Sequence, residues 1–179
     1  PRGDHAVMLL SAGQDFTLDT LTAAAFDSYQ PAFARFLPLL VKAWDTLPDT
    51  DARKGLLAEP IAMLRDWDYR WGLTSVPNSL AALWAEDLRQ WTLDHSQGAP
   101  RTLYDRMAAA SPDVQLTLLA GVVKRLDRDF GTWRTPWGDI NRLQRLTGAI
   151  TQDFSDAAPS IAVPFSSARW GSLASFGAR

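Results

Sequence analysis

Apolar residues recur every three to four positions through most of this chain, and the recurrence stops near residue 131. That period marks helices that bury one face. Asp4 to Ser11 predicts a short first helix, stopped by Gly13. Thr17 fits a helix N-cap with Asp19 in the first turn, and Leu18, Leu21, Ala25, Phe26 and Tyr29 follow at helical spacing. Beyond Pro31, the residues Phe33, Phe36, Leu37, Leu40 and Trp44 keep the rhythm, and Pro38 inside that run predicts a kink or a break. A further helix is expected from about Ala52 to Trp67, with Leu57, Ile61, Leu64 and Trp67 on one face. Pro60 either bends it or starts a second piece. Ser75-Val76-Pro77 reads as the cap and start of a helix reaching about Leu93, striped by Leu80, Leu83, Trp84, Leu88 and Trp91. His95 to Pro100 reads as a linker, and Leu103 to Ala109 as a short helix. Ser111-Pro112-Asp113 opens the clearest helix, with Val114, Leu118, Val122 and Leu126 at i,i+4 spacing and Gly131 as terminator.

After Thr132 the pattern changes. Phe154, Pro159, Pro164 and the Ser166-Ser167 pair indicate an extended tail that needs a surface to lie on. Trp170 to Phe176 alternates weakly, as a strand would. The chain therefore divides into a helical region, 1–131, and a loop with an extended tail, 132–179. The expected fold class is mostly α: a multi-helix segment with an extended, partly β C-terminal tail.

Composition narrows the function classes. The chain has 179 residues, 46% hydrophobic and 21% charged, which is ordinary for one globular domain or part of one. Its net charge of −2, with both signs interspersed, gives no electrostatic case for nucleic acid or an anionic membrane. No apolar run approaches a bilayer span. Cysteine is absent, which removes disulfides and thiolate metal sites. The opening Pro1-Arg2-Gly3-Asp4 and the ending at Arg179 read as a piece of something larger. The eight tryptophans read first as an aromatic core. Trp133 and Trp137, in a loop, also fit an apolar substrate wall.

Catalytic motifs are scarce. His5 and His95 lie far apart without ligand spacing and read as ordinary polar residues. Asp66/Asp68 and Asp127/Asp129, each next to arginine (Arg65, Arg70; Arg128), read as solvated ion-pair faces. There is no phosphate loop, zinc helix motif or nucleophile elbow.

The stretch Trp133-Arg134-Thr135-Pro136-Trp137-Gly138-Asp139-Ile140-Asn141-Arg142 carries more side-chain specificity than a solvent loop needs. It resembles a segment of the penicillin amidase family of acylases, which are N-terminal-nucleophile hydrolases. Phe16-Thr17-Leu18-Asp19, Leu37-Pro38-Leu39-Leu40, Leu64-Arg65-Asp66-Trp67-Asp68 and Trp170-Gly171-Ser172-Leu173-Ala174-Ser175-Phe176-Gly177 are similar to further family segments in the same order. The resemblance implies a fragment of the β subunit within an αββα fold, in which an N-terminal serine is the nucleophile and its own amine the base. It implies an asparagine and a backbone N–H as oxyanion hole. Position 1 here is proline, so the serine, like the oxyanion asparagine, is expected upstream, and the segment alone is expected to be inactive. The place of Arg2, just before the first helix, is similar to that of a family arginine near the active site; a terminal solvated arginine is the other reading. Trp133, Trp137 and Asn141 are candidate residues of the acyl pocket, with plain packing as the alternative. The implied parent is an autoprocessed, exported hydrolase that cleaves an acyl chain from a β-lactam nucleus or a homoserine lactone, as in antibiotic synthesis. Its partners are the α subunit, the β-subunit core sheet and a small amide substrate. No cofactor is expected in this segment, and calcium is possible in the parent. A non-catalytic helical interaction or scaffold module with an aromatic groove is the rival. Apolar surface that the parent's sheet would cover is expected to be exposed.

Overall fold

The computed structural model describes residues 1–13, 15–95, 102–145, 147–149 and 152–174. It is a helical assembly carrying a folded-back tail. Helix α1 spans Arg2–Ala12 and α2 spans Leu18–Ala25. Thr17 caps α2 in a reciprocal capping box with Thr20. Helix α3, Pro31–Asp45, starts on proline as the spacing predicts.

Pro38 does not break α3, contrary to one sequence expectation. It lies on the exposed face, so the Ala34 carbonyl that loses its N–H partner stays within reach of water. Phe33, Phe36, Leu37 and Leu40 on the other face are essentially fully buried and hold the helix together.

The expected helix from Ala52 to Trp67 is two helices, α4 (Ala52–Leu56) and α5 (Ala58–Arg65). Pro60 falls in the first turn of α5, where its missing N–H costs nothing. Helix α6 (Val76–His95) extends through His95, which is helical rather than linker. The rest of that expected linker lies outside the described residues. Helix α7 covers Leu103–Ala108 and α8 covers Pro112–Phe130. Ser111 caps α8 and Gly131 ends it in the left-handed conformation, φ +79°.

The core lies where α8 packs on α3 and α6. Leu57, Ile61 and Leu64 close it from the α4–α5 side, and Trp84 fills its centre. Trp84 donates its indole N–H to the Gln115 carbonyl at 3.0 Å, so the largest apolar side chain is buried without a stranded donor. Gln30 and Asn78 form a fully buried amide pair at 2.7 Å between the start of α3 and the first turn of α6.

The α1–α2 pair is the exception to this burial. The apolar stripe on α2 is real in sequence, yet none of its residues is buried. Leu18 is 81% exposed, and Val7, Leu10, Leu21 and Phe26 are also open.

Past Gly131 the chain forms a short helix α9 (Trp137–Ile140) and a minimal antiparallel pair. Strand β1 (Arg142–Leu143) pairs with β2 (Ile161–Ala162), with Arg142 opposite Ala162 and Leu143 opposite Ile161. The strand expected over Trp170 to Phe176 is not present in its described part. Ala168–Trp170 is a single 3-10 turn capped by Ser167, and Gly171 at φ +108° reverses the chain. Trp170, packed on Phe33 with ring centroids 5.8 Å apart, anchors the tail in the core. Residues 175 and 176 of that expected strand lie outside the described residues.

Candidate functional site

The loop from Trp133 to Arg142 is built against the turn that precedes α6. The Trp137 N–H donates to the Ser75 carbonyl at 3.2 Å, and the Gly138 N–H to the Leu73 carbonyl at 2.7 Å. That approach is close enough to favour glycine at 138: a Cβ there would lie 3.0 Å from the Leu73 oxygen and 3.1 Å from its Cδ2.

Side chains of the loop then reach the tail. Trp137 donates its indole N–H to the Phe165 carbonyl at 3.2 Å. Asn141 donates to the Val163 and Phe165 carbonyls at 3.0 and 2.8 Å. The Val163 N–H returns a bond to the Asn141 carbonyl at 2.9 Å. Arg142 holds Ser160 through its carbonyl and hydroxyl, at 2.8 and 3.0 Å. Gln144, nearly buried, donates to the carbonyls of Ser155, Ala158 and Pro159. The dense chemistry of this loop is thus a clamp on a strand-poor tail whose backbone groups have little ladder to satisfy them.

Trp137 and Asn141 therefore converge, on one carbonyl. Trp133 stands apart: it is half-buried against the helical core, and the Arg134 guanidinium lies 4.5 Å above its ring. Arg134 also reaches Glu59 at 2.7 Å. Beside this pair runs an open trough of about 700 Å³, floored by Met63, Trp67 and Pro77 and rimmed by Glu59, Asp66 and Arg134. Arg2 sits exposed at the start of α1, and no hydrogen bond, ion pair or ring contact among the described residues joins it to the loop.

Sequence reasoning passed over a second polar centre. His5, which reads in sequence as an ordinary polar residue, is fully buried. Its Nδ1 is 2.8 Å from the Gly171 carbonyl and its Nε2 is 3.1 Å from the Asp27 carboxylate. Asp27 also accepts the Tyr29 N–H at 2.9 Å and pairs with Arg70 at 3.0 Å. Burial pushes the Asp27 carboxyl up, but the Tyr29 N–H, Arg70 and His5 outweigh it and hold it below its ordinary value. Its partners are distant in sequence, and only the fold reveals them.

The expected local ion-pair faces are also rearranged. Arg65 pairs with Asp45 and Arg70 with Asp27, each across the fold. Asp127 accepts the Trp133 N–H instead of an arginine, at 2.6 Å. Arg128 does meet its sequence neighbour, Asp129, at 2.7 Å, and Asp68 accepts the backbone N–H of Arg70 at 3.1 Å. Among the described residues no group of carboxylates, histidines or cysteines is arranged to hold a metal ion, and no helix is long and apolar enough to cross a membrane.

Replacing Asn141 with alanine is expected to destabilise the tail by about 2 kcal/mol, since the Val163 carbonyl loses this donor and the Phe165 carbonyl keeps only the Trp137 indole N–H. Limited proteolysis within residues 152–165 should accelerate severalfold while far-ultraviolet circular dichroism is unchanged. Unaltered proteolysis would show that the clamp does not depend on this side chain.

A comparison with curated proteins returned no match. The penicillin amidase family, by contrast, matches residues 1–175, which takes in the helical core, the clamp and the docked tail together. The chain belongs to the penicillin amidase family of acylase-type hydrolases.

Proposed function

We propose that this chain is a helical part of the β subunit of an acylase that hydrolyses a linear amide, releasing an acyl chain from a β-lactam nucleus or a homoserine lactone. The family match across residues 1–175 is the observation that carries this reading. In it, the parent is cleaved from a precursor in an exported compartment. A serine newly exposed at an N-terminus attacks the amide carbonyl, its own amine accepts the proton, and an oxyanion hole stabilises the tetrahedral intermediate. This segment alone is inactive and frames the cleft. The α subunit and the core sheet are its partners.

Trp133, Trp137 and Asn141 then border the acyl side of the cleft. The Trp137 indole N–H and the Asn141 amide NH2 are engaged with the tail, so Trp137 offers a substrate its ring surface, and the clamp fixes where that surface stands. The exposed Arg2 is free to contribute positive charge toward an oxyanion.

The test is denaturing electrophoresis of the natural full-length product, with N-terminal sequencing of every band. Two chains are expected, the larger beginning with serine and containing this segment internally, together with turnover of acyl amides of graded length. A single chain beginning near Pro1 would remove the nucleophile, and the segment would then be a binding or scaffold module.

A further inference from the structure

His5 carries a second inference, independent of the proposed reaction. Both of its ring nitrogens face acceptors: a backbone carbonyl at 2.8 Å and a carboxylate oxygen at 3.1 Å. A neutral imidazole has one N–H and can satisfy only one of them; the imidazolium has two and satisfies both. His5 is fully buried and Gly171 is buried beside it, so water does not substitute for a donor missing at that carbonyl. The carboxylate is the stronger acceptor, so the single proton of a neutral ring stays with Asp27. A nitrogen lone pair then faces the Gly171 oxygen at 2.8 Å, a contact between two acceptors.

We propose that His5 is a proton-operated latch: as imidazolium it fastens the Gly171 turn to α1, and on losing a proton it releases the tail. The charged surroundings are consistent with this. Asp27 faces the ring from the loop after α2, Arg70 reaches the same carboxylate from the loop after α5, and the Tyr29 ring meets His5 edge-on at 5.8 Å. The α3 and 3-10 arginines, Arg35 and Arg169, point away, to Asp105 and Glu86. The segment released is small and otherwise held by few bonds, chiefly the Tyr104 hydroxyl donating to the Arg169 carbonyl at 2.8 Å and the buried Trp170.

The imidazolium is the form with two N–H donors, so raising the pH opens the latch and lowering it closes the latch. Hydrogen exchange read by mass spectrometry on the full-length protein tests it, following peptides that cover residues 168–174 and correcting for the intrinsic rate. Between about pH 5.5 and about pH 8, protection should fall about tenfold, the factor equivalent to one charge-assisted hydrogen bond. In His5→Gln the step should vanish. Equal protection at both pH values in the wild type, or a step that survives in His5→Gln, would overturn the proposal. Should His5→Gln fail to fold, Arg70→Gln decides. Removing that exposed cation leaves the carboxylate free to hold the imidazolium, so the step should move to higher pH; an unmoved step would overturn the latch.

Discussion

Gly171→Ala is expected to lower the free energy of unfolding by about 3 kcal/mol, through overpacking and a left-handed backbone together. The residue has φ +108°, where a Cβ is strained whatever the surroundings. The surroundings are also closed: the added Cβ would lie 2.4 Å from Cδ and 2.7 Å from Cγ of Pro31. A proline ring at the first position of α3 cannot swing aside as a long side chain would. Relief has to come from moving the turn itself, which takes the Gly171 carbonyl from His5 and loosens Trp170. Gly131→Ala is the control, because Gly131 is also left-handed, φ +79°, but has nothing within 4 Å of the added Cβ. That change should cost only about 1 kcal/mol, the backbone share alone. Denaturant unfolding of both variants gives the difference directly. Equal losses would mean that the turn yields freely, and that the tail is not fastened to α3.

How much of this was legible in the sequence depends on the range of the interaction. Helix starts and stops were legible because they are decided within one turn. Thr17, Ser111 and Gly131 each satisfy or end a helix using groups three or four residues away. The core faces were legible because burial follows the helical period, as Leu57, Ile61 and Leu64 show. Pro38 misled because a local rule, that proline breaks helices, was outweighed by a distant fact, the packing of the opposite face. The α2 stripe misled in the other direction: its period is helical, but a period says that a face is apolar, not that this chain covers it. In the tail almost nothing was legible. Its conformation is fixed by side chains such as Asn141, Arg142 and Gln144, which cap carbonyls 11 to 24 residues away.

The candidate site divides along the same line. The loop from Trp133 to Arg142 stood out by composition, and the resemblance that it carried led to the family now established by the match over residues 1–175. Its internal roles did not stand out. Trp137 and Asn141 share a target only because the tail returns to them, and Trp133, in the same loop, belongs to the helical core instead. His5 and Gly171 lie 166 positions apart, so no local pattern could join them.

Trp84→Ala is expected to be the most damaging single change, costing about 4 kcal/mol from lost burial and the cavity left behind. Trp84 is completely buried at the α6–α8 seam, and its indole N–H reaches the Gln115 carbonyl. Trp84→Phe keeps most of the ring volume and gives up the hydrogen bond, so about half that loss or less should follow. Trp91→Ala, one helical stretch further along α6, is the comparison: Trp91 is only half-buried and stacks on His95, with ring centroids 4.6 Å apart. It should cost about 1 kcal/mol, since little apolar area returns to water. Thermal unfolding is the check: Trp84→Ala should melt lowest, Trp84→Phe next and Trp91→Ala highest of the three. The consequence extends beyond stability, because the turn at the start of α6 supplies the carbonyls of Leu73 and Ser75 that seat Gly138 and Trp137. A core loosened at Trp84 should therefore also accelerate proteolysis of the clamped tail. Loss of stability with the tail still fully protected would show that the loop and tail are held independently of the α6–α8 seam.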